Sequence, residues 1–330
     1  MDSRRKVLHV LWCLFLGQVV SFLLTVGSFI TSFLTDLDID APLTQAFLSY
    51  IILAIVFGCV LLYRRRRLKV SWYWYIFLGF VDVQGNYLVL KAYQYTSITS
   101  VTLLDCFTIP WVMILTRIYI GTRYTVLQFI GAATCVLGLV LVLFSDAGVA
   151  GGGGTRPLLG DGLVIAGTIF YAISNVWEEF CVKKRDLIEV IGMLGIFGTL
   201  ISGCEILIFE YAELESINWT PKVILLFAAF AVGFFLFYST VPFILQTSGA
   251  TMFNLSLLTS NMWAVLIRIF FYHQQVDWLY FCAFAVIAIG LAMYSFTGKD
   301  DSPATQMEGS ETIQYHQLEE ESNSNVVSVS

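Results

Sequence analysis

The residues with the most chemical potential lie in one stretch, Gly79 to Pro110, which reads GFVDVQGNYLVLKAYQYTSITSVTLLDCFTIP. It is apolar enough to enter a bilayer, yet it holds Asp82, Gln84, Asn86, Lys91 and Asp105. A charge at membrane depth costs at least about 2.5–3.5 kcal/mol on the mildest scale, so several in one helical hairpin point to use. Asp82 and Asn86 are four apart and share a helix face. At 1.5 Å per residue Asp82 falls about 15 Å into its span and Asp105 about 12 Å from the opposite surface, so both are expected near the midplane. Lys91 differs in depth from Asp105 by roughly 5 Å in an antiparallel hairpin, a distance its stem covers. One reading is a structural ion pair with Lys91 snorkelling outward. The other is a site in which Asp82 or Asp105 takes a solute or a coupling proton, with Lys91 keeping one of them ionised until the solute arrives. Pro110 removes the helical donor to the Cys106 carbonyl. That gives either a static kink or a hinge beside the carboxylate.

Further polar groups recur in later spans. In GDGLVIAGTIFYAISNVWEEFCVKK, the residues Tyr171, Asn175 and Glu178 or Glu179 follow at helical spacing and make one face polar. Glu179 is close enough to the helix end to reach water and Lys183 or Lys184, whereas Glu178 fits either that role or the site. Asn254, Ser256, Thr259, Ser260 and Asn261 crowd the middle of another span. Asn254 and Asn261, seven apart, are expected on one face lining a cavity, while Ser and Thr in spans often bond their own backbone or a neighbouring helix. Arg268 reads as an interfacial anchor. Glu205 has no place in any spacing pattern, and Gln18 is a lesser candidate. No HExxH, GxSxG, Walker loop or Cys/His metal cluster is present. An Asp82–Asp105 dyad in VDVQ and LLDC lacks the Gly-rich setting of membrane aspartyl proteases. Neither catalysis, a cofactor, a metal nor a nucleic-acid partner is expected.

Positioning such groups takes a bilayer's worth of helices. The 330 residues are 58% hydrophobic and 13% charged, with a mean hydropathy of +0.78. Soluble domains carry roughly 45–50% apolar and about 25% charged residues, so the composition reads as a multi-span membrane protein. About ten segments approach the roughly 20 apolar residues a crossing needs. They lie near 8–31, 44–63, 72–95, 97–119, 125–144, 161–182, 187–211, 222–245, 250–272 and 276–297. The first is read as a retained span, since no small-residue cleavage site follows it. All seven cysteines fall in apolar segments, so no disulfide framework is readable. Arg4, Arg5, Lys6, Arg64 to Arg67, Lys69, Arg117, Arg123 and Lys183 to Arg185 fall on one side if the spans alternate. The opposite loops hold Asp36, Asp38, Asp40, Asp146, Glu213, Glu215 and Asp277, with Arg156 and Lys222 as the basic exceptions. Both termini are then expected in the cytoplasm. The Asn218-Trp219-Thr220 sequon lies on the outer side in that arrangement. Arg64, Arg65, Arg66 and Arg67 are expected to meet anionic lipid, and Trp72 to Tyr75 to form an interfacial aromatic belt. Glycines at 131, 138, 192, 195 and 198 read as close helix packing.

The Gly151–Gly154 run is a flexible connector. The expected layout is a cytoplasmic N-terminus at 1–7, five helices over 8–144, a connector at 145–160, five more over 161–297, and an acidic disordered tail at 298–330. Tyr315-His316-Gln317-Leu318 in that tail fits a tyrosine-based sorting signal. The halves are faintly alike: one step carries Thr96-Ser97 onto Thr247-Ser248, Leu115 onto Leu266, Arg117 onto Arg268 and Ile118 onto Ile269. Five is odd, so the second half enters the membrane inverted, as in secondary transporters with a midplane site between repeats.

Three blocks carry a family resemblance: DVQGNYLVLKAYQYTSITSVTLLDCFTIP, GDGLVIAGTIFYAISNVWEEFCVKK and GMLGIFGTLISG. They resemble the F branch of solute carrier family 35, within the drug/metabolite transporter superfamily, from about the first span to the tenth. The resemblance implies an all-α membrane protein of ten helices in two inverted five-helix repeats, with alternating access and no use of ATP. The family's best-known members exchange nucleotide sugars, whose diphosphates want cations or helix N-termini. The polar groups here are mostly carboxylates and amides beside Tyr and Phe. They suit a neutral or weakly cationic heteroaromatic solute, nucleobase-like or vitamin-like, with protons as a candidate coupling ion. A nucleotide-sugar antiporter of the endomembrane system, resting on Lys91 and Arg268, is the alternative, and a non-transporting scaffold is a third reading. Plasma membrane, Golgi and endolysosomal locations all stay open.

Overall fold

A computed structural model describes residues 2–297 except 36, 38, 40, 65–71, 93, 94, 97–100, 102, 103, 147–155, 185 and 273–277. The Gly151–Gly154 connector, Arg65 to Arg67, Lys69 and the tail with its Tyr315–Leu318 motif lie outside the described residues. The described residues are helical, with no strand among them. In chain order they form α1 (Asp2–Thr35), α2 (Pro42–Arg64), α3 (Tyr73–Ala92) and α4 (Thr108–Leu115), which runs on into a π-helical turn (Thr116–Ile120). Then come α5 (Val126–Asp146), α6 (Pro157–Lys184), α7 (Leu187–Phe209), the short α8 (Tyr211–Ser216) and α9 (Pro221–Thr247). The last are α10 (Ala250–Leu257), α11 (Ser260–Tyr272) and α12 (Trp278–Phe296).

Among the described residues, five helices, α1, α2, α6, α7 and α9, are long and apolar enough to cross a membrane. Helix α4 with its π-helical turn, Thr108–Ile120, is apolar but shorter, and α5 and α12 are apolar helices of 21 and 19 residues. The expected span over 250–272 is divided at Leu258 and Thr259. The cause is local. Thr259 Oγ1 donates to the Ser256 carbonyl at 2.7 Å and Ser256 Oγ to the Met252 carbonyl at 2.9 Å, a back-bonding that competes with the helix. Helix α1 covers the break, because Ser21 donates to the Ser256 carbonyl at 2.5 Å and Thr25 to the Ser260 carbonyl at 2.8 Å. Gln18 accepts from Thr259 Oγ1 and Trp263 Nε1, both at 3.2 Å.

Helix ends are held by side chains. Asp186 caps α7 and Thr220, ahead of Pro221, caps α9. Glu210 reaches across to α2, accepting from the amides of Leu43 at 2.6 Å and Thr44 at 2.9 Å and from the Thr44 hydroxyl at 2.9 Å. Losing a cap costs typically about 1 kcal/mol and up to about 2. Glu210→Ala strips a buried one, so thermal unfolding is expected to show a loss of about 2 kcal/mol.

Between apolar helices in lipid no water is released, and small residues decide how near backbones approach. Helix α7 lies along α2, where a Cβ at Gly195 would stand 2.6 Å from the Ala54 amide nitrogen and one at Gly198 2.7 Å from the Tyr50 ring. Helix α5 lies along α12, where a Cβ at Gly131 would stand 2.9 Å from the Gly290 carbonyl oxygen. Helix α3 packs on α6 and α1 on α9, while α2 touches α9, α3 touches α7, α4 touches α6, and α1 touches α10 and α11. The main apolar core draws on α1, α2, α3, α6, α7 and α9 and surrounds the polar groups described next.

Two expectations need correction. Trp72, Tyr73 and Trp74 face outward, but Tyr75 is fully buried and donates to Glu189 at 2.8 Å. The Cys106 carbonyl is not left without a donor by Pro110, because the chain turns at Cys106 and Phe107 and the Ile109 amide reaches it at 3.1 Å. Pro110 therefore sits in the first turn of α4, where its missing N–H has no helical partner to lose. Arg64, one of the four arginines expected at anionic lipid, pairs with Asp186 at 3.2 Å and stays exposed.

Candidate functional site

Asp82 occupies the middle of α3 and is 6% exposed. Its carboxylate accepts from three hydroxyls on three other helices: Tyr50 of α2, Tyr238 of α9 at 2.9 Å and Ser174 of α6 at 3.1 Å. The Tyr50 and Tyr238 rings lie 5.4 Å apart, with oxygens 3.1 Å apart. One turn along α3, Asn86 Nδ2 reaches Tyr50 OH at 3.2 Å, Tyr238 OH at 3.1 Å and the Asp82 carbonyl at 3.0 Å. Asn86 Oδ1 accepts from Tyr171 OH at 3.1 Å. Tyr171 can lie across α3 because Gly85 has no side chain: a Cβ there would stand 2.8 Å from the Tyr171 ring.

The polar face of α6 continues the network. Asn175 Nδ2 donates to Asn254 Oδ1 of α10 at 3.2 Å, and Asn254 Nδ2 donates to the Ala250 carbonyl at 2.8 Å. Glu178, four residues beyond Ser174, is 3% exposed, and its Oε1 has no hydrogen-bond partner. Such a group is expensive to leave alone in a low-dielectric interior.

The structure thus brings together Asp82, Asn86, Tyr171, Asn175 and Asn254, with Glu178 alongside. Four other expected residues stand apart. Asp105 is exposed, but Ile109 and Val112, four and seven residues on, are buried, while Phe107, Trp111, Ile114 and Ile118 face outward. The turn at Cys106 and Phe107 separates Asp105 from the buried face of α4. Lys91 is half-buried, and among the described residues it forms no ion pair with Asp105. Asn261 is half-buried in α11, and the break at Leu258 and Thr259 ends the common face it was expected to share with Asn254. Pro110 is exposed at the start of α4. Arg268 is not described beyond its backbone.

Tyr50, Tyr238 and Ser174 were not singled out from sequence. For Ser174 a signal existed, since it lies on the face of Tyr171, Asn175 and Glu178. For a lone tyrosine in an apolar span there was none. Other polar residues find separate roles. Glu179 pairs with Lys183 and accepts the Ala250 amide at 2.7 Å, capping α10. Glu205 takes a hydrogen bond from Gln84 on the opposite flank of α3. A cleft lined by Arg123, Tyr124, Glu179, Lys183, Gly249 and Tyr294 lies at the Lys183 end of the bundle, apart from Asp82. Among the described residues no His, Cys, Asp and Glu cluster is arranged to hold a metal.

A bundle of apolar helices packed around a largely buried polar network defines a multi-pass membrane protein. The sequence profile of solute carrier family 35 (SLC35F) matches residues 6–296. Over 305 residues the chain is 37% identical to mouse solute carrier family 35 member F2, spanning 89% of this chain and 81% of that protein. The corresponding Xenopus tropicalis protein is 36% identical, over 89% of this chain and 78% of its own length. An uncharacterized solute carrier family 35 member of Schizosaccharomyces pombe is 37% identical, over 85% of this chain and 57% of its own. A crystal structure of another protein superposes with a TM-score of 0.68 at 17% identity, covering 87% of this chain and 99% of that one, a likeness of fold alone. The chain belongs to solute carrier family 35. Membership supports a solute transporter rather than an enzyme.

Proposed function

We propose that this protein is a secondary-active transporter of a neutral or weakly cationic heteroaromatic solute, nucleobase-like or vitamin-like, working by alternating access around the Asp82 network. The observation that carries this is the buried Asp82 carboxylate held by hydroxyls from α2, α6 and α9. A charge kept in the middle of an apolar bundle by groups from several helices marks a solute path. Tyr50, Tyr171 and Tyr238 offer ring faces beside it, which suit a flat heterocycle. Among the described residues, no lysine or arginine hydrogen-bonds Asp82, Asn86 or Asn175, and a diphosphate wants such groups.

Two inverted five-helix repeats, ten spans in all, gain support from how helices pair. Exchange α1 with α6, α2 with α7, α3 with α9, α4 with α10–α11 and α5 with α12. The α3–α6 packing becomes α9–α1, α2–α9 becomes α7–α3, and α4–α6 becomes α10–α1, while α2–α7 and α5–α12 map onto themselves. The step that carries Thr96 to Thr247 also carries the turn at Phe107 onto the turn at Leu258. Interrupted helices at matching places are a mark of such carriers. In this reading both termini are cytoplasmic, Asp105 lines the path, Pro110 hinges it, and Asn261 meets it in another state.

One observation favours a nucleotide-sugar antiporter instead: Lys91 is half-buried and not engaged with Asp105, so its charge is available to an anion. Uptake into proteoliposomes separates the two. ATP-independent uptake of a nucleobase or heteroaromatic vitamin is expected, falling about tenfold or more in Asp105→Asn, the size of one lost charged hydrogen bond. Exchange of a nucleotide sugar alone, unchanged in that variant, would favour the antiporter.

A further inference from the structure

Donors and acceptors around Asp82 do not balance. Tyr50, Tyr238 and Ser174 direct their hydroxyls at Asp82, and Tyr171 directs its own at Asn86. Asn86 in turn supplies amide hydrogens to both phenol oxygens. These hydroxyls and Asn86 are all engaged, and beyond them in this network only the second amide hydrogens of Asn175 and Asn254 have no acceptor among the described residues. Two acceptors are left over. One is the Glu178 carboxyl, whose buried Oε1 meets nothing. The other follows from the amide chain. Asn254 Nδ2 is fixed on the Ala250 carbonyl, so its Oδ1 faces Asn175, and Asn175 must answer with Nδ2. That leaves Asn175 Oδ1 with no donor. The neighbouring Trp177 Nε1 is also unpartnered, but its ring is turned into the Trp74, Phe77 and Phe180 stack.

Asn175 and Glu178 are three apart on α6, a spacing that puts side chains about 5–6 Å from each other on one face. A flat cation with N–H groups along one edge spans that gap. A neutral ring without N–H leaves both acceptors unmet, and an anion opposes Glu178 directly.

We propose that the Glu178 carboxyl and Asn175 Oδ1 are the atoms that hold the transported solute, and that this solute is a heteroaromatic cation presenting a pair of N–H donors. Asp82 is then a positioning residue, fully occupied by its three hydroxyls. The assignment rests on the transport reading and narrows it from neutral or cationic to cationic.

The test uses the full chain in detergent micelles. Dicyclohexylcarbodiimide, a membrane-permeant carboxyl reagent, is applied and the labelled residue is identified by peptide mass spectrometry. Label is expected on Glu178 about tenfold or more over Asp82, whose oxygens are occupied, a ratio equivalent to one charged hydrogen bond. Label on Asp82, on both equally or on neither overturns the assignment. In parallel, thermal stabilisation is read with 2-aminobenzimidazole, 1-methylbenzimidazole and UDP-glucose as probes. The first alone should stabilise the protein, should protect Glu178 from label, and should lose about tenfold or more in affinity in Glu178→Gln. Stabilisation by 1-methylbenzimidazole, which has no N–H, overturns the proposal and leaves the heteroaromatic transport reading intact. Stabilisation by UDP-glucose alone overturns both.

Discussion

Asp82→Ala is expected to lower stability by about 3 kcal/mol, the largest effect of any single polar substitution in this protein. Three buried hydroxyls lose their charged acceptor together. Hydrogen bonds to charged groups are worth about 1.5–3 kcal/mol each in soluble proteins. Hydrogen bonds between membrane helices average only about 0.6 kcal/mol, because the unfolded chain in the bilayer also finds partners. Here the acceptor is an ion, which pushes the sum up. Tyr50 and Tyr238, with oxygens already 3.1 Å apart, can bond each other afterwards, which pulls it down. Removing one donor is milder: Tyr238→Phe leaves the other two hydroxyls on Asp82 and is expected to cost about 1 kcal/mol. Reversible unfolding in mixed micelles measures both. Equal effects for the two variants would mean that Asp82 does not organise the four helices.

Gly195→Leu is expected to cost about 3 kcal/mol or to prevent assembly, and the reason is backbone rather than chemistry. Overpacking usually costs about 1–3 kcal/mol, since neighbouring side chains can shift. At Gly195 the first atoms met are the Ala54 amide nitrogen at 2.6 Å and Leu53 Cβ at 2.8 Å, followed by the Leu53 carbonyl carbon at 2.9 Å. Relief requires α2 and α7 to separate, which also moves Tyr50 away from Asp82. The packing change therefore reaches the polar network, and ligand stabilisation should vanish along with fold stability. Gly233→Leu is the control: a Cβ there meets nothing within 4 Å, and its unfolding free energy should stay within about 0.5 kcal/mol of the parent, as for substitutions outside any packed feature.

Much of the network could be read from spacing alone. Asp82 with Asn86, and Tyr171 with Asn175 and Glu178, were legible because one helix turn repeats every 3.6 residues and polar residues stand out in apolar spans. Their partners were less legible. Tyr50 and Tyr238 belong to helices that are mostly apolar and show no polar face at helical spacing around them, and a tyrosine in such a span reads equally as core or interface. Ser174 was hidden because serine in a helix defaults to its own backbone. Regular spacing misled where the helix itself gives way. Asn254 and Asn261 were counted through Leu258 and Thr259, where hydroxyls divert the carbonyls, and Pro110 was counted into a helix that begins only at Thr108. Tyr75 illustrates the limit of belt arguments: of four adjacent aromatics, the one that turns inward is fixed by Glu189, far away in sequence.

The most direct test of the central claim, that the Asp82 network is the solute site, is a thermal-shift screen of the purified protein. Nucleobases, nucleosides and heteroaromatic vitamins are set against nucleotide sugars. A ligand at about 100 times its dissociation constant stabilises by roughly 2.7 kcal/mol. The account predicts stabilisation by a heteroaromatic base in the parent protein and its loss in Asn86→Ala, which removes the residue joining Tyr171 to Tyr50 and Tyr238. Stabilisation that is undiminished in Asn86→Ala, or that comes only from nucleotide sugars, would contradict it.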